Sequence, residues 1–351
     1  MIRVAQKWRL FAHIRFNSAV SEAHWNEKTS TWDIHVDVGG GKEAEYGSQY
    51  MLKSNFLIAG VGQLNQPCYP DIKGLHDFTG KVMHSARWDW EYSFEGKRVG
   101  IIGNGATAAQ IIPEISKQAS TLEVFQRTPN WVIPRNDDSI SMTRRMLYRY
   151  IPHLRKRYRA QIMDMREGFY TKTSLANTDE KDKIQRACLE MMERQIPGNI
   201  SLREKLTPDY PAGCKRVISS DDFYPALNQP HVLLETSPIT RMSGSGIWTN
   251  AEKEHHHELD CLILATGFMT HEFVFPMKFY GRGGRPLREI WTDGAQAFRG
   301  VTVADMPNFG MLYGPNTNLG HNSIVLMIEA QSRYLNAIIG KVIKAKSQSG
   351  L

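Results

Sequence analysis

Gly103, Gly105 and Ala108 stand at GxGxxA spacing within Gly-Lys-Arg-Val-Gly-Ile-Ile-Gly-Asn-Gly-Ala-Thr-Ala-Ala-Gln, residues 96–110. The chemistry this spacing serves is phosphate recognition. The first glycine permits a tight turn, the second lets a pyrophosphate approach the backbone, and a small third residue keeps a helix close to its strand. The helix then aims its N-terminal amides and positive dipole end at the phosphates. Past the next apolar run come Gln126, Arg127 and Thr128. An NAD site usually places an acid about 20 residues beyond the glycines to hold the ribose 2′-hydroxyl. A guanidinium and a hydroxyl there suit a 2′-phosphate, so the pattern points to NADPH. Glu123 is the competing acid, but it lies inside the run and not at its end. Arg127 also reads as an ordinary solvated cation.

The elements that must position these residues are legible around them. Val99, Ile101 and Ile102 form the short apolar run of a buried parallel strand. A helix is expected over Ala106–Gln118 and a second strand over Leu122–Phe125. A lone GxGxxA string means little, because glycines are common. Between a strand and a helix, with another strand following, it marks a Rossmann βαβ unit.

At 351 residues the chain is long enough for a full core and two domains. A hydrophobic fraction of 41% and a charged fraction of 23% are those of a globular protein. The formal charge of +7 fits anionic ligands such as dinucleotides and does not by itself imply nucleic acid, which is not expected as a partner. Cys68, Cys188, Cys214 and Cys261 are scattered with no CxxC. That favours reduced thiols and a cytoplasmic setting, against a disulfide oxidoreductase or a metal site. No signal peptide opens the chain, and no apolar run approaches a membrane span.

Residues 2–12 read as the end of a helix, and Ile14–Val20 as a strand. Trp32–Val38 alternates apolar and polar residues, as a half-buried strand does. A turn at Gly39–Gly41 and a strand over Asn55–Ala59 complete a β-meander. Gly60-Val61-Gly62 is a strand-to-loop crossing, since Pro67 and Pro70 follow too soon for a helix. Residues 139–200 form a basic, mostly helical insert, split into two helices at Pro152. A basic amphipathic helix can lie on a membrane surface; packing on a core with a solvated cationic face is the preferred expectation. His255-His256-His257 has no second cluster to complete a metal site and is expected in a polar hairpin loop before a strand at Leu259–Ala265. Phe309–Tyr313 reads as a strand, Gly314–Asn322 as a polar loop, with a helix starting near Ser323.

Phe78-Thr79-Gly80-Lys81-Val82-Met83-His84-Ser85-Ala86-Arg87-Trp88-Asp89 is, on physics alone, a loop or short strand with a structural histidine. Its pattern resembles FxGxxxHxxxW followed by Pro or Asp, the fingerprint of Baeyer–Villiger monooxygenases. Phe78, Gly80, His84, Trp88 and Asp89 match every fixed position. The resemblance continues through residues 125–129, Cys214-Lys215-Arg216, residues 264–268 and residues 312–318, and so covers nearly the whole chain.

The resemblance implies an α/β fold: an NADPH-binding Rossmann domain inserted in an FAD-binding domain of the two-dinucleotide-binding-domain flavoprotein type. Residues 1–90 and 271–351 correspond to parts of the FAD domain, and 91–270 to the NADPH domain with its helical insert. Family members begin with a further glycine-bearing FAD unit that this sequence lacks, so an upstream segment or a partner is expected to complete flavin binding. By the same resemblance Lys215 contacts the 2′-phosphate, and Arg216 is the catalytic arginine beside the flavin, where a permanent cation stabilises negative charge without needing a proton. The His84 motif connects domain movements and performs no chemistry. The implied activity is insertion of one O₂-derived oxygen next to a ketone carbonyl, using NADPH and FAD. Two alternatives stay open: N- or S-oxygenation by a broader flavin monooxygenase, and a non-catalytic NADPH-binding remnant.

Overall fold

The computed structural model describes residues 1–39, 47–135, 137, 139–170, 178–250, 252–320 and 322–348. The chain divides into two compact units. One comprises Pro67–Phe268 with Gly320–Asn322, the other Met1–Gln66, Met269–Leu319 and Ser323–Leu351.

The first unit is built on a five-stranded, all-parallel sheet. Its strands are β1 (Lys81–His84), β2 (Arg98–Ile102), β3 (Thr121–Phe125), β4 (Val232–Glu235) and β5 (Cys261–Leu264), in the spatial order β4-β3-β2-β5-β1. Strand order reverses between β2 and β5, and in open α/β sheets a ligand crevice lies at the carboxyl ends of the strands at such a switch point. Every residue of β5 is buried, as a central parallel strand covered on both faces requires. On one face, α1 (Ala108–Ile115) packs Ala108, Ile112 and Ile115 against Ile101, Val124 and Ile263. On the other, Leu262 and Leu264 meet Met242 and Ile247 of a three-stranded antiparallel sheet (Ile239–Ser243, Gly246–Asn250, Glu254–Glu258). Residues 67–90, grouped by sequence with the first segment, supply β1 and therefore belong with this sheet.

The helical insert contains α2 (Met142–Tyr150), α3 (Pro152–Tyr170) and α4 (Thr178–Gln195), with the break at Pro152. The expectation that its basic helices pack on a core is overturned, because neither α2 nor α3 has a single buried residue. Only α4 reaches the core, through Cys188, Met191 and Met192. The His255–His257 expectation is also corrected. The triplet lies within the strand Glu254–Glu258, where His257 is buried and bonded through Nδ1 to Glu123 Oε2 at 2.5 Å and through Nε2 to Thr249 Oγ1 at 2.9 Å.

The second unit carries a four-stranded sheet ordered Lys278–Tyr280, Ser18–Asn26, Thr31–Val38, Gln49–Ser54. The first expected strand starts at Ser18 and not at Ile14, since Ile14 and Phe16 are exposed and pair with nothing in the sheet. The expected turn at Gly39–Gly41 runs into residues outside the described ones. Trp32 is fully buried, with its indole N–H donating to the Pro307 carbonyl at 2.9 Å. Leu57–Ala59 and Phe309–Met311 form a short parallel pair, and a 25-residue helix spans Ile324–Gln348.

Arg98 ties β2 to the start of β5. Its guanidinium donates to both carboxylate oxygens of Asp260, at 2.8 and 3.2 Å, and to Glu258 at 2.5 Å. The side-chain bonds to Asp260, and after them the bond from the Arg98 backbone N–H to its Oδ2 at 2.8 Å, hold the Asp260 carboxyl at about 2, below its ordinary 3.8. A lowered folded-state value contributes stability that is complete above 3.8 and lost as pH falls through about 2. Asp260 is about one-third exposed, so solvent screening reduces this contribution to roughly 1 kcal/mol. Arg98→Gln is expected to flatten the acid limb of the stability profile below pH ~4, read by urea unfolding across pH.

Candidate functional site

The glycine turn sits at the carboxyl end of β2. Gly103 has φ +108°, and a Cβ there would stand 2.5 Å from the Ala265 carbonyl oxygen just past β5. Gly105 differs: a Cβ there would meet nothing within 4 Å. Its backbone is thus open to an incoming group, as pyrophosphate approach requires. Ala108 is fully buried and holds the first turn of α1 against the sheet.

The loop after β3 is tied to this turn by polar side chains. Asn104 Nδ2 donates to Gln126 Oε1 at 2.7 Å and to the Thr128 carbonyl at 3.0 Å. Asn130 returns a bond to the Asn104 carbonyl at 3.2 Å, and Gln126 Nε2 donates to the Lys205 carbonyl at 2.7 Å. Gln126 is 3% exposed, so it is fully committed to this network, while Arg127 points to solvent. Glu123 is committed too, to His257. The residue at the strand end that is free to meet a ribose substituent is therefore a cation. Asn104 and Gln126 were not singled out from sequence as positioning residues. Asn104→Ala strands a buried Gln126 oxygen, and is expected to cost about 1–3 kcal/mol and a few degrees of melting temperature, measured by calorimetry.

Tyr210 brings in the second cation. Its hydroxyl donates to the Pro129 carbonyl at 2.8 Å, and its own carbonyl accepts from the Trp131 indole at 2.8 Å. Lys215 Nζ lies 4.7 Å from the Tyr210 ring centroid. Val132 and Ile133 pair in parallel with Ile218 and Ser219, so residues 131–133 and 218–220 run side by side just beyond these cations. Arg216 is exposed and lines a cleft of about 370 Å³ with Ala106, Gln110, Arg135 and Ser219, at the start of α1. Arg127, Thr128, Lys215 and Arg216 thus gather on the segments that flank the glycine turn. The arrangement suits a polyphosphate with an additional phosphate. A larger cleft of about 800 Å³ runs along Leu233, His255 and Glu258 and includes no glycine-turn residue.

The Phe78–Asp89 motif is a packing device. The Phe78 ring occupies the place of a Gly80 Cβ, 2.5 Å from it, which explains why the two occur together. His84 ends β1, 2% exposed, its Nδ1 accepting from the Ala86 N–H at 3.1 Å. Burial is the largest cause holding its pKa below the ordinary imidazole value. Its ring lies between Tyr69 and Phe268, at 5.4 and 6.0 Å. Trp88 packs on Phe94, and Asp89 pairs with Lys81 back on β1.

A family model described as flavin-binding monooxygenase-like matches residues 1–280. The chain belongs to that family. Within it, an FAD-binding monooxygenase of Aspergillus niger is 49% identical over 348 residues, covering 99% of this chain and 57% of the relative. A Baeyer–Villiger monooxygenase of Pseudomonas aeruginosa is 37% identical over 330 residues, covering 94% of this chain and 60% of the relative. The chain thus spans less than two thirds of the length of these curated relatives. The solved structure of an oxidized steroid monooxygenase bound to NADP superimposes with a TM-score of 0.80 at 26% identity, over 98% of this chain and 70% of that one. The resemblance read from the His84 motif therefore extends to the fold, which is that of the two-dinucleotide-binding flavoprotein monooxygenases.

Proposed function

We propose that the chain is the NADPH-binding part of a Baeyer–Villiger-type flavin monooxygenase, acting on a small-molecule ketone with O₂ in the cytoplasm. The observation that carries this reading is the strand end at Arg127, where both nearby alternatives, Gln126 and Glu123, are engaged in other bonds. Gly103, Gly105 and Ala108 would receive the pyrophosphate, and Arg127, Thr128 and Lys215 the 2′-phosphate. The open Gly105 backbone fits that group.

FAD, when bound, supplies the oxygen-activating redox chemistry. Among the described residues the second unit offers a parallel strand pair but no glycine turn leading into a helix for a second pyrophosphate. Flavin binding would therefore need a second phosphate-binding turn that the described residues do not supply, from a further segment or a partner. Arg216, always charged, would stabilise negative charge developing in the crevice.

The test supplies NADPH, FAD and a panel of ketones to the chain, alone and joined to such a segment, and follows NADPH consumption with ester formation. Oxygenated amine or sulfide without ester would move the assignment to the N- and S-oxygenating branch. That only one glycine turn of this kind occurs among the described residues also supports a second reading, an NADPH-binding remnant. A purified protein with no visible flavin spectrum, even with the segment restored, would favour it.

A further inference from the structure

The helical hairpin α2–α3 leaves an amphipathic face without a cover. From Met142 to Met163 the sequence has seven arginines and lysines (Arg144, Arg145, Arg149, Arg155, Lys156, Arg157, Arg159) and no carboxylate. At 100° per residue Met142, Met146 and Tyr150 line one stripe of α2, and Arg145 and Arg149 stand beside it. The stripe is open: Met142 is 71% exposed, Met146 54% and Tyr150 69%. The other side of α2 is the one that meets α3, where Tyr148 stacks on Tyr158 at 5.2 Å and Arg144 lies over the same ring. Ile151 and Leu154 continue the exposed apolar surface through the bend. None of the seven cations forms an ion pair with a carboxylate among the described residues.

We infer that this face docks the protein on an anionic lipid surface. Single exposed apolar side chains are ordinary, but a contiguous stripe flanked by cations has the composition of a helix lying in the bilayer interface. Arginine stems can lie along the acyl boundary while their guanidiniums reach lipid phosphates. A nucleic acid would use the cations but gain nothing from Met142 and Met146. No helix of the described residues is long and apolar enough to cross a membrane, and the inferred docking is that of a face lying on the surface.

The test is co-sedimentation of the whole chain with phosphatidylcholine vesicles, with and without about 30 mol % phosphatidylglycerol. Binding is expected only to the anionic vesicles, and weakened by raising salt. Arg145→Gln with Arg149→Gln should lower partitioning about 10- to 30-fold. Met146→Ser with Tyr150→Ser should lower it about tenfold or more, with melting temperature and NADPH affinity unchanged in both pairs. The inference fails if anionic vesicles bind no better than neutral ones, or if either pair partitions like the parent. Loss in the arginine pair alone, together with tight heparin or RNA binding, would assign the face to a polyanion and overturn it.

Discussion

Replacing Arg127 by alanine is expected to weaken NADPH binding about 10- to 100-fold while leaving NADH binding within about twofold. Arg127 is exposed at the end of β3, and none of the hydrogen bonds that brace the loop runs through its side chain. The substitution should therefore not disturb the fold. On the proposed reading it removes a planar donor to a group that only NADPH carries, and charge-assisted bonds to phosphate are worth roughly twice a neutral bond. Lys215→Ala should act in the same direction with a smaller effect, since an ammonium is a point charge and Lys215 is steered only by the Tyr210 ring. The two losses should not add if, as proposed, both cations serve one phosphate. Titration calorimetry of each variant with both nucleotides reads the outcome. Equal losses for NADPH and NADH would mean that Arg127 shapes the loop and does not read the phosphate. No loss for either would remove the basis for the whole functional reading.

How far the sequence carried this site differs from residue to residue, for physical reasons. The glycine turn was legible because its backbone demands are local: a positive φ and a close strand leave few residue choices at Gly103. Arg127 was legible as the free cation, but the reason it is free was not. Gln126 turns inward to partners at Asn104 and Lys205, and the second of these is 79 residues away in the chain. The histidine triplet misled for a related reason. Three identical side chains show no alternation, so the buried third position is decided by Glu123, 134 residues distant. In the basic insert the amphipathic period was visible, but a period reports only that an apolar stripe exists. It does not say what covers the stripe, and in the structure no residue of α2 or α3 is buried. The pairing of β2 with β3 follows from the βαβ pattern, whereas the place of β1 beside β5 depends on pairing between residues 81–84 and 261–264, which no local signal encodes.

The two glycines of the turn should fail in opposite ways, and the contrast tests the site more sharply than either alone. Gly103→Ala places a methyl 2.5 Å from the Ala265 carbonyl oxygen and 3.1 Å from its carbon, on a backbone at φ +108°. Neither obstacle is a flexible side chain, so β2 or β5 must shift. The expected cost is about 3 kcal/mol or more, seen as a lower urea midpoint and melting temperature before any nucleotide is added. Gly105→Ala meets no atom within 4 Å and carries no positive φ, so its stability should stay within about 0.5 kcal/mol of the parent. Its methyl instead stands where the backbone must come close to a pyrophosphate, and binding should fall about tenfold or more. Because NADPH and NADH share that pyrophosphate, this loss should be equal for the two, unlike the selective loss expected at Arg127. A Gly105→Ala protein that melts normally and binds both nucleotides normally would show that the pyrophosphate does not lie over this turn.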